Sequence, residues 1–397
     1  MGIYLDLCRG NLLRNMHPQI QGIYALSFLT TILSVARTFS VSMLLMFASV
    51  VVVFFISSPA VAQQSTTSAL EQIQSVGQGL QQERRVADKG DGLVIQGTPR
   101  RVVVLEYSFL DAVVLAGITP VGIADDQKPQ RILSQLKQQM GDYQSVGLRG
   151  QPNLETIASL KPDLIIADQR RHSGIYRELQ GIAPTLLLLS YGAEYNDLLN
   201  DAVLIGQALG KQSYVEQRLQ QHETAMDRFR VQLKSAQLKS ARLENAQLKS
   251  TQGQQAQAER FLFATASERG VAVHASKSFA TGVIHRLGLQ TAIPQGDNSA
   301  YMRVSFEQMA GMNPDWLLVG DYNRAQGGAE ALKRWQAHPL WPMLNMAKKQ
   351  QLKLVDPKVW SLSRGIFAAE QIAEDLITLV SASPLVSFAP VEGMKLP

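Results

Sequence analysis

Residues Asn153–Asp168 read NLETIASLKPDLIIAD, and residues Ser305–Gly320 read SFEQMAGMNPDWLLVG. The two stretches align without a gap. Each opens polar, apolar, Glu, continues with an amphipathic helical stretch, reaches Pro-Asp, and ends in a buried apolar run. Pro162 and Pro314 stop a helix, because proline lacks an amide proton and disfavours α geometry in the residue before it. The apolar run that follows is β-rich. The same helix–turn–strand unit therefore occurs twice, about 150 residues apart, with Glu155/Glu307 and Asp163/Asp315 in identical register. This predicts two related α/β lobes, each with a mostly parallel sheet.

Working outward, Val86 to Gln96 reads as a small hairpin with Gly90 and Gly92 at its turn. Arg101 to Leu105 (RVVVL) is a buried strand, Ser108 to Ala116 a helix closed by Gly117, and Val121 to Ala124 a second strand. Strand, helix and strand within so short a span make a right-handed parallel unit. Phe261 to Ala264, Trp316 to Val319 and Lys353 to Val355 are strands of the second lobe. Its helices are expected at Thr281 to Leu289, Ala329 to Ala337 and Ile366 to Ser381. Asp197 to Leu209 is amphipathic and closed by Gly210. Ser213 to Leu233 has no Gly or Pro and apolar or aromatic positions at Tyr214, Val215, Leu219, Met226, Phe229 and Leu233, which predicts one long helix. A helix of about 20 residues spans about 30 Å, suiting a rigid strut between lobes. Ala236 to Ser250 repeats AQLKS, ARLEN, AQLKS. Its leucines advance about 140° per step on a helix and share no face, so it reads as a solvated extension of the strut rather than a β-solenoid. The boundaries expected are 86–211 for the first lobe, 212–258 for the strut and its insertion, and 259–397 for the second lobe.

Composition narrows the class. Apolar residues make up 46% and charged residues 18% of the 397, the opposite of a disordered chain. The single cysteine, Cys8, excludes a disulfide framework and any CxxC site. Net charge is +5, with no basic block of the kind that binds nucleic acid. Val41 to Ile56 is uninterrupted and apolar, Arg37 precedes it, and Ala60-Val61-Ala62 follows as an A-x-A site. That is the pattern of a cleaved secretory signal, with cleavage after Ala62; an N-terminal membrane anchor is the alternative. Ile20 to Ala36 is also largely apolar, which makes the leader long. No apolar run precedes Cys8, so a lipoprotein is not expected. Residues 63–85 read as a flexible lead-in rich in Gln and Ser.

Four stretches carry a family resemblance: TPRRVVVLEYSFLDAVVLAGITPVGIADD (Thr98 to Asp126), SVGLRGQPNLETIASLKPDLIIAD (Ser145 to Asp168), RHSGIY (Arg171 to Tyr176) and WSLSRGIFAAEQIAEDL (Trp360 to Leu376). They resemble the periplasmic ferric-siderophore and cobalamin binding proteins, the substrate-binding subunits of ABC importers. The resemblance covers nearly all of Val86 to Leu379, is strongest to members that take iron(III) dicitrate, and is interrupted by the insertion near Leu233 to Ala258. It implies two Rossmann-like lobes joined by one backbone helix, a periplasmic location, a monomer, and no enzymatic activity or cofactor of its own. It implies as partners an ABC permease and its ATPase, with iron(III) arriving as a citrate complex. It also implies that Glu155 and Glu307 pair with arginines of the permease. Read without the resemblance, each is an ordinary acid in the first turn of a helix.

Ligands of two-lobed α/β proteins sit beyond the carboxyl ends of the strands. Residues there include Glu106-Tyr107-Ser108, Asp125-Asp126, Gly147-Leu148-Arg149 and Arg170-Arg171-His172 in the first lobe. The second lobe contributes Ser267, Phe279, Tyr301-Met302-Arg303, Tyr322-Asn323-Arg324, and Trp360 with Arg364. The candidate ligand set is Tyr107, Ser108, Arg149, Arg171, His172, Arg303, Tyr322, Arg324, Trp360 and Arg364. A guanidinium fork matches a carboxylate with two parallel hydrogen bonds, so converging arginines suit a polycarboxylate anion whose own oxygens saturate the iron. Tyr107, Tyr322 and Trp360 would supply flat walls, and His172 a donor to a ligand oxygen. Each arginine also has a plainer reading as a solvated surface charge, Asn323 could stand in for Arg324, and Arg364 could simply tie down the final helix. His222 and His285 read as structural. Asp125 and Asp126 are adjacent and point apart, which argues against a shared acid–base site. Hydroxamate or catecholate siderophores, haem and cobalamin stay open as ligands. So do direct metal binding through His172 and His274, an enzyme on the same scaffold, and an interaction role for the insertion.

Overall fold

The computed structural model describes residues 83–247, 258–267, 270–322 and 328–382. The expected signal segment, the lead-in up to residue 82, insertion residues 248–257, Asn323 and Arg324 lie outside the described residues. Among the described residues no helix is long and apolar enough to cross a membrane.

Strands β1 (Glu83–Val86) and β2 (Leu93–Gln96) form the antiparallel hairpin. In the first lobe come β3 (Val102–Val104), helix α1 (Leu110–Leu115), β4 (Gly122–Ile123), α2 (Ser134–Gln139) and β5 (Gln144–Ser145). A small hairpin of β6 (Gly147–Leu148) and β7 (Gln151–Pro152) leads into α3 (Leu154–Ser159), then β8 (Leu164–Asp168). The short α4 (Gln169–His172), α5 (Tyr176–Ile182), β9 (Thr185–Leu188) and α6 (Tyr195–Ala208) complete the lobe. Its sheet runs β5-β4-β3-β8-β9 and is parallel throughout. Helix α7 (Gln212–Gln247) crosses to the second lobe. That lobe holds β10 (Arg260–Ser267), β11 (Gly270–His274), α8 (Phe279–Arg286), β12 (Gln290–Thr291) and β13 (Tyr301–Arg303). It continues with α9 (Phe306–Met312), β14 (Trp316–Asp321), α10 (Gly328–Gln336), α11 (Asn345–Lys348), β15 (Leu352–Val355) and α12 (Ile366–Ser381). Its sheet is mixed: β10 pairs β12 and β14 in parallel, β14 pairs β15 in parallel, and β11 pairs β10 and β13 antiparallel.

The sequence repeat is a structural repeat. Asn153 caps α3 by accepting from Thr156 N at 2.8 Å, and Ser305 caps α9 in a reciprocal box with Gln308. Lys161 and Asn313, each just before the proline, are both left-handed, with φ of +46° and +39°. Asp163 then accepts from Arg101 N at 2.8 Å, and Asp315 from Arg260 N at 2.9 Å. In each lobe the Pro-Asp carboxylate thus pins the start of the neighbouring strand.

Side chains alternate across both sheets. Val102 and Val104 face one core while Val103 and Leu105 face another. In the second lobe Phe261 and Phe263 oppose Leu262 and Ala264 in the same way. Sheets covered on both faces need such runs of apolar residues. One core passes from lobe to lobe through the strut, where Val215, Met226 and Leu233 are buried along one stripe of α7. Tyr214, expected on that stripe, is 57% exposed. His222 takes the inward position instead, bonded to Tyr195 Oη at 2.6 Å and Glu370 Oε1 at 2.9 Å. Arg218 adds a bond to Glu370 at 2.8 Å. Strut, first lobe and α12 therefore share one polar knot. The helix runs on through the AQLKS and ARLEN copies to Gln247.

Candidate ligand-binding cleft

Glu106 follows β3 in extended conformation, and its side chain is fully buried. Three guanidiniums meet its carboxylate. Arg149 Nη1 lies 3.3 Å from Oε2, Arg364 Nη2 3.6 Å from Oε2, and Arg171 Nε 2.5 Å from Oε1. The Arg171 contact is an ion pair without hydrogen-bond alignment. Arg149 comes from the β6–β7 turn, Arg171 from α4, and Arg364 from the second lobe.

A second acid stands beside the first. Asp126, left-handed at φ +58°, accepts from Arg149 Nε at 2.9 Å and from Arg149 N at 2.9 Å. Arg131 Nη1 reaches the same carboxylate at 2.9 Å. Burial alone would raise the Asp126 pKa, but the bonds from Arg149 and the charge of Arg131 outweigh it and hold it below the usual carboxylate value. Burial likewise opposes the charge on Arg149, and Glu106 and Asp126 outweigh it, raising its pKa. Asp125 points the other way and accepts from Tyr143 Oη at 2.9 Å and from Ser145 Oγ.

Asp168 at the end of β8 organises the remaining rim. It accepts from Ser190 N at 2.6 Å, Tyr191 N at 3.0 Å and Arg171 N at 2.9 Å. Ser190 then receives Arg364: Nη1 donates to its carbonyl at 2.6 Å and Nη2 to its Oγ at 2.9 Å, and Ser108 Oγ donates to the same Oγ at 2.8 Å. Arg364 is only 3% exposed and left-handed at φ +50°. Tyr191, 42% exposed, stacks on Tyr301 of the second lobe at 5.6 Å and carries Arg171 over its ring at 4.9 Å. Half-buried Tyr322 faces Arg131 at 5.8 Å, and burial pushes its phenol up to about 12.

The candidate residues divide. Arg149, Arg171, Arg364 and Tyr322 come together at the cleft. Tyr107 lies beneath it, its ring covered by the Arg149 guanidinium at 4.7 Å and its hydroxyl donating to the Asp125 carbonyl at 2.5 Å, so it forms a floor under Arg149 and no open wall. Ser108 is buried behind Ser190. His172 is corrected from donor to brace. Its Nδ1 accepts from Asp168 N at 2.9 Å and its Nε2 bonds the Arg149 carbonyl at 2.7 Å, so neither nitrogen is left for ligand or metal. Burial lowers its pKa. Trp360 is corrected from wall to core: it is fully buried, packs on Phe263 at 5.1 Å, and donates Nε1 to Asp375 at 2.8 Å. Arg303 is exposed on β13 and lines a separate surface depression with Arg260, Ile293 and Gln308. His274 is buried beside Phe263 and Tyr301, and burial, helped by Arg364, pushes it down to about 3. No group of three His, Cys, Asp or Glu fit to hold a metal occurs among the described residues. Glu155 and Glu307 are exposed in the first turns of α3 and α9, Glu307 with His338 Nε2 at 4.0 Å.

Sequence reasoning passed over Arg131, Asp126 as a counter-ion, and the Ser190-Tyr191 turn. The last two follow β9, so the strand-end rule that found the others would have found them.

Comparison with known proteins agrees with this geometry. The family model described as "Periplasmic binding protein" matches residues 102–245 and 240–359. The Fe(3+) dicitrate-binding periplasmic protein FecB of Escherichia coli is 39% identical over 301 residues, 76% of this chain and 91% of that one. The Fe(3+)-citrate-binding protein YfmC of Bacillus subtilis is 36% identical over 297 residues, 75% of this chain and 86% of that one. Among solved structures, Staphylococcus aureus SirA complexed with staphyloferrin B superposes with a TM-score of 0.60 at 23% identity, covering 75% of this chain and 98% of that one. A family match over most of the two lobes, relatives named as binding proteins and a shared fold lead to one assignment: the chain belongs to the periplasmic binding protein family, a family of binding proteins and not of enzymes.

Proposed function

We propose that this protein captures iron(III) dicitrate, or a closely similar polycarboxylate ferric complex, in the periplasm and delivers it to an ABC permease. The observation that carries the reading is the gathering of guanidiniums in the cleft. Arg131, Arg149, Arg171 and Arg364, drawn from both lobes, converge on Glu106 and Asp126, with Asp125 and Asp168 as further buried acids beside them. Clustered guanidiniums attract a polyanion, and the partly exposed Arg171 fork offers it a bidentate partner. Iron enters as cargo already coordinated by citrate, which agrees with a cleft built of carboxylate-binding groups. The ligands named for the Escherichia coli and Bacillus subtilis relatives support the same choice.

Export by a signal cleaved after Ala62 would place the two lobes in the periplasm. Exposed Glu155 and Glu307, in matching positions of the two lobes, would each meet a permease arginine. Rim ion pairs of this kind fix orientation and speed docking more than they add affinity.

The test is calorimetric titration of the 63–397 chain with ferric citrate, iron-free citrate and a ferric hydroxamate. Saturable heat with ferric citrate is expected. Heat with the hydroxamate alone keeps the transport role and overturns the ligand, and no heat with any of the three overturns the reading.

A further inference from the structure

Three guanidiniums from three separate segments and two lobes converge on one carboxylate that solvent does not reach. Such a cluster needs an anion to exist: like charges repel, and a buried charge left unpaired is costly. Glu106 is well placed to be that anion, because it lies two residues past β3 in extended geometry (φ −144°, ψ 143°), with Leu105 between them bonded to the Ile166 carbonyl of β8. Arg149 has Asp126 as a second partner and Arg364 has Ser190. Arg171 has only Glu106 among its ion pairs described here, with the Tyr191 ring as its platform. The Arg364 backbone holds a left-handed conformation that non-glycine residues avoid, as a side chain clamped at its far end can enforce.

We infer that Glu106 is a built-in counter-carboxylate: it assembles Arg149, Arg171 and Arg364 in the empty cleft, stays in place when ligand arrives, and sets the charge of the anion the cleft accepts. The last clause rests on the anion-binding reading above; the first does not. Glu106 is therefore a positioning and selectivity residue. It subtracts one charge from the arginine cluster and holds Arg171, the partly exposed member, at the rim, where a ligand carboxylate would meet its fork. Full burial argues against its displacement, since a departing carboxylate would need water that is not there.

The test uses the full two-lobed protein and two conservative variants. Glu106→Gln keeps the shape and removes the charge, whereas Glu106→Asp keeps the charge and shortens the reach. In nitrogen-15 spectra of ligand-free protein, the Arg171 Nε–H signal, identified by its loss in Arg171→Lys, should exchange slowly in the wild type and much faster in both variants. Unchanged protection in both overturns the assembling role. For ferric citrate, the salt dependence of binding should follow charge and not shape. The slope for Glu106→Gln should steepen, as the cleft gains one net positive charge, while that of Glu106→Asp matches the wild type. Equal slopes in all three overturn the selectivity role. Should Glu106→Gln fail to fold, Arg171→Gln, altered at the partly exposed end of the pair, must give a shallower slope, and an unchanged one overturns the selectivity role. Absence of any wild-type heat with ferric citrate sinks the proposed ligand, and the Arg171 signal then decides the assembling role by itself.

Discussion

Gly365 is the place where one methyl group should do the most damage. A Cβ there would lie 2.2 Å from Asp111 Oδ2, 2.4 Å from its Cγ and 2.8 Å from its Cβ. The Gly365 backbone is extended (φ −127°, ψ −165°), so alanine is not excluded by conformation; the objection is steric. Asp111 cannot step aside freely. It is 3% exposed and accepts from Phe367 N at 2.9 Å, capping α12 of the opposite lobe. Displacing it removes an N-cap, about 1 kcal/mol, and leaves a buried carboxylate without its donor, about 1–3 kcal/mol. Gly365→Ala should therefore cost about 2–4 kcal/mol in urea unfolding followed by tryptophan fluorescence. The double-mutant cycle is the decisive form. Asp111→Gly removes all three atoms that clash, Cβ included, so adding Gly365→Ala to it should cost little, giving a coupling of about 1.5 kcal/mol or more. A single mutant within about 0.5 kcal/mol of wild type, or two effects that simply add, would refute this reasoning.

Three further outcomes are expected. Arg149→Ala should weaken ferric citrate binding about 10- to 100-fold, the worth of a charge-assisted hydrogen bond of about 1.5–3 kcal/mol, with Arg149→Lys in between because it keeps the charge and loses the fork; equal calorimetric affinities would contradict this. Asp201 is buried with an unpartnered Oδ2, and burial pushes its carboxyl up to about 7. A raised acid costs nothing below its unfolded value near 4 and costs more as pH climbs to its folded value, so Asp201→Asn should gain about 2–3 kcal/mol more at pH 8 than at pH 5 in parallel urea titrations; a gain independent of pH would count against it. Glu155→Ala and Glu307→Ala should abolish iron uptake in reconstituted vesicles without altering ferric citrate affinity, and unchanged uptake in the double variant would remove both from docking.

The parts of this molecule that sequence exposes are those fixed within one unit of chain. The two copies of the helix, proline and strand unit share their caps and their left-handed residue before proline, because both follow from local geometry, and the repeated Asp163 and Asp315 then carry the same bond to the neighbouring strand. The cleft was legible as a set of loops and as an excess of arginine, but not as an arrangement. Arg149 and His172 looked alike as strand-end polar residues. What separates them is tertiary: His172 has both nitrogens committed to backbone groups, whereas Arg149 lies over the Tyr107 ring with its guanidinium shared between Asp126 and Glu106. Trp360 and Tyr191 show the same limit in opposite directions. A π-helical turn at Lys358–Ser363 rolls Trp360 into the core, and the Asp168 carboxylate holds up the turn that leaves Tyr191 exposed.

The segment from Arg364 to Phe367 bears on how the lobes respond to ligand. Arg364 reaches into the first lobe and closes on Ser190 and Glu106, while two and three residues later the start of α12 is capped from that lobe by Asp111. The buried Arg364 guanidinium and the joint between lobes are thus one short piece of backbone, held in a left-handed turn at one end and against a carboxylate at the other. A few residues further on, Glu370 joins Arg218 and His222 of the strut. A wide hinge opening would have to break the cap, the Ser190 contacts and the strut knot together, whereas small rotations about this segment need break none of them. The geometry therefore favours a cleft that opens by modest shifts of the rim, Tyr191 and Tyr301 above all, and under the proposed docking role Glu155 and Glu307 would keep nearly the same separation with and without cargo.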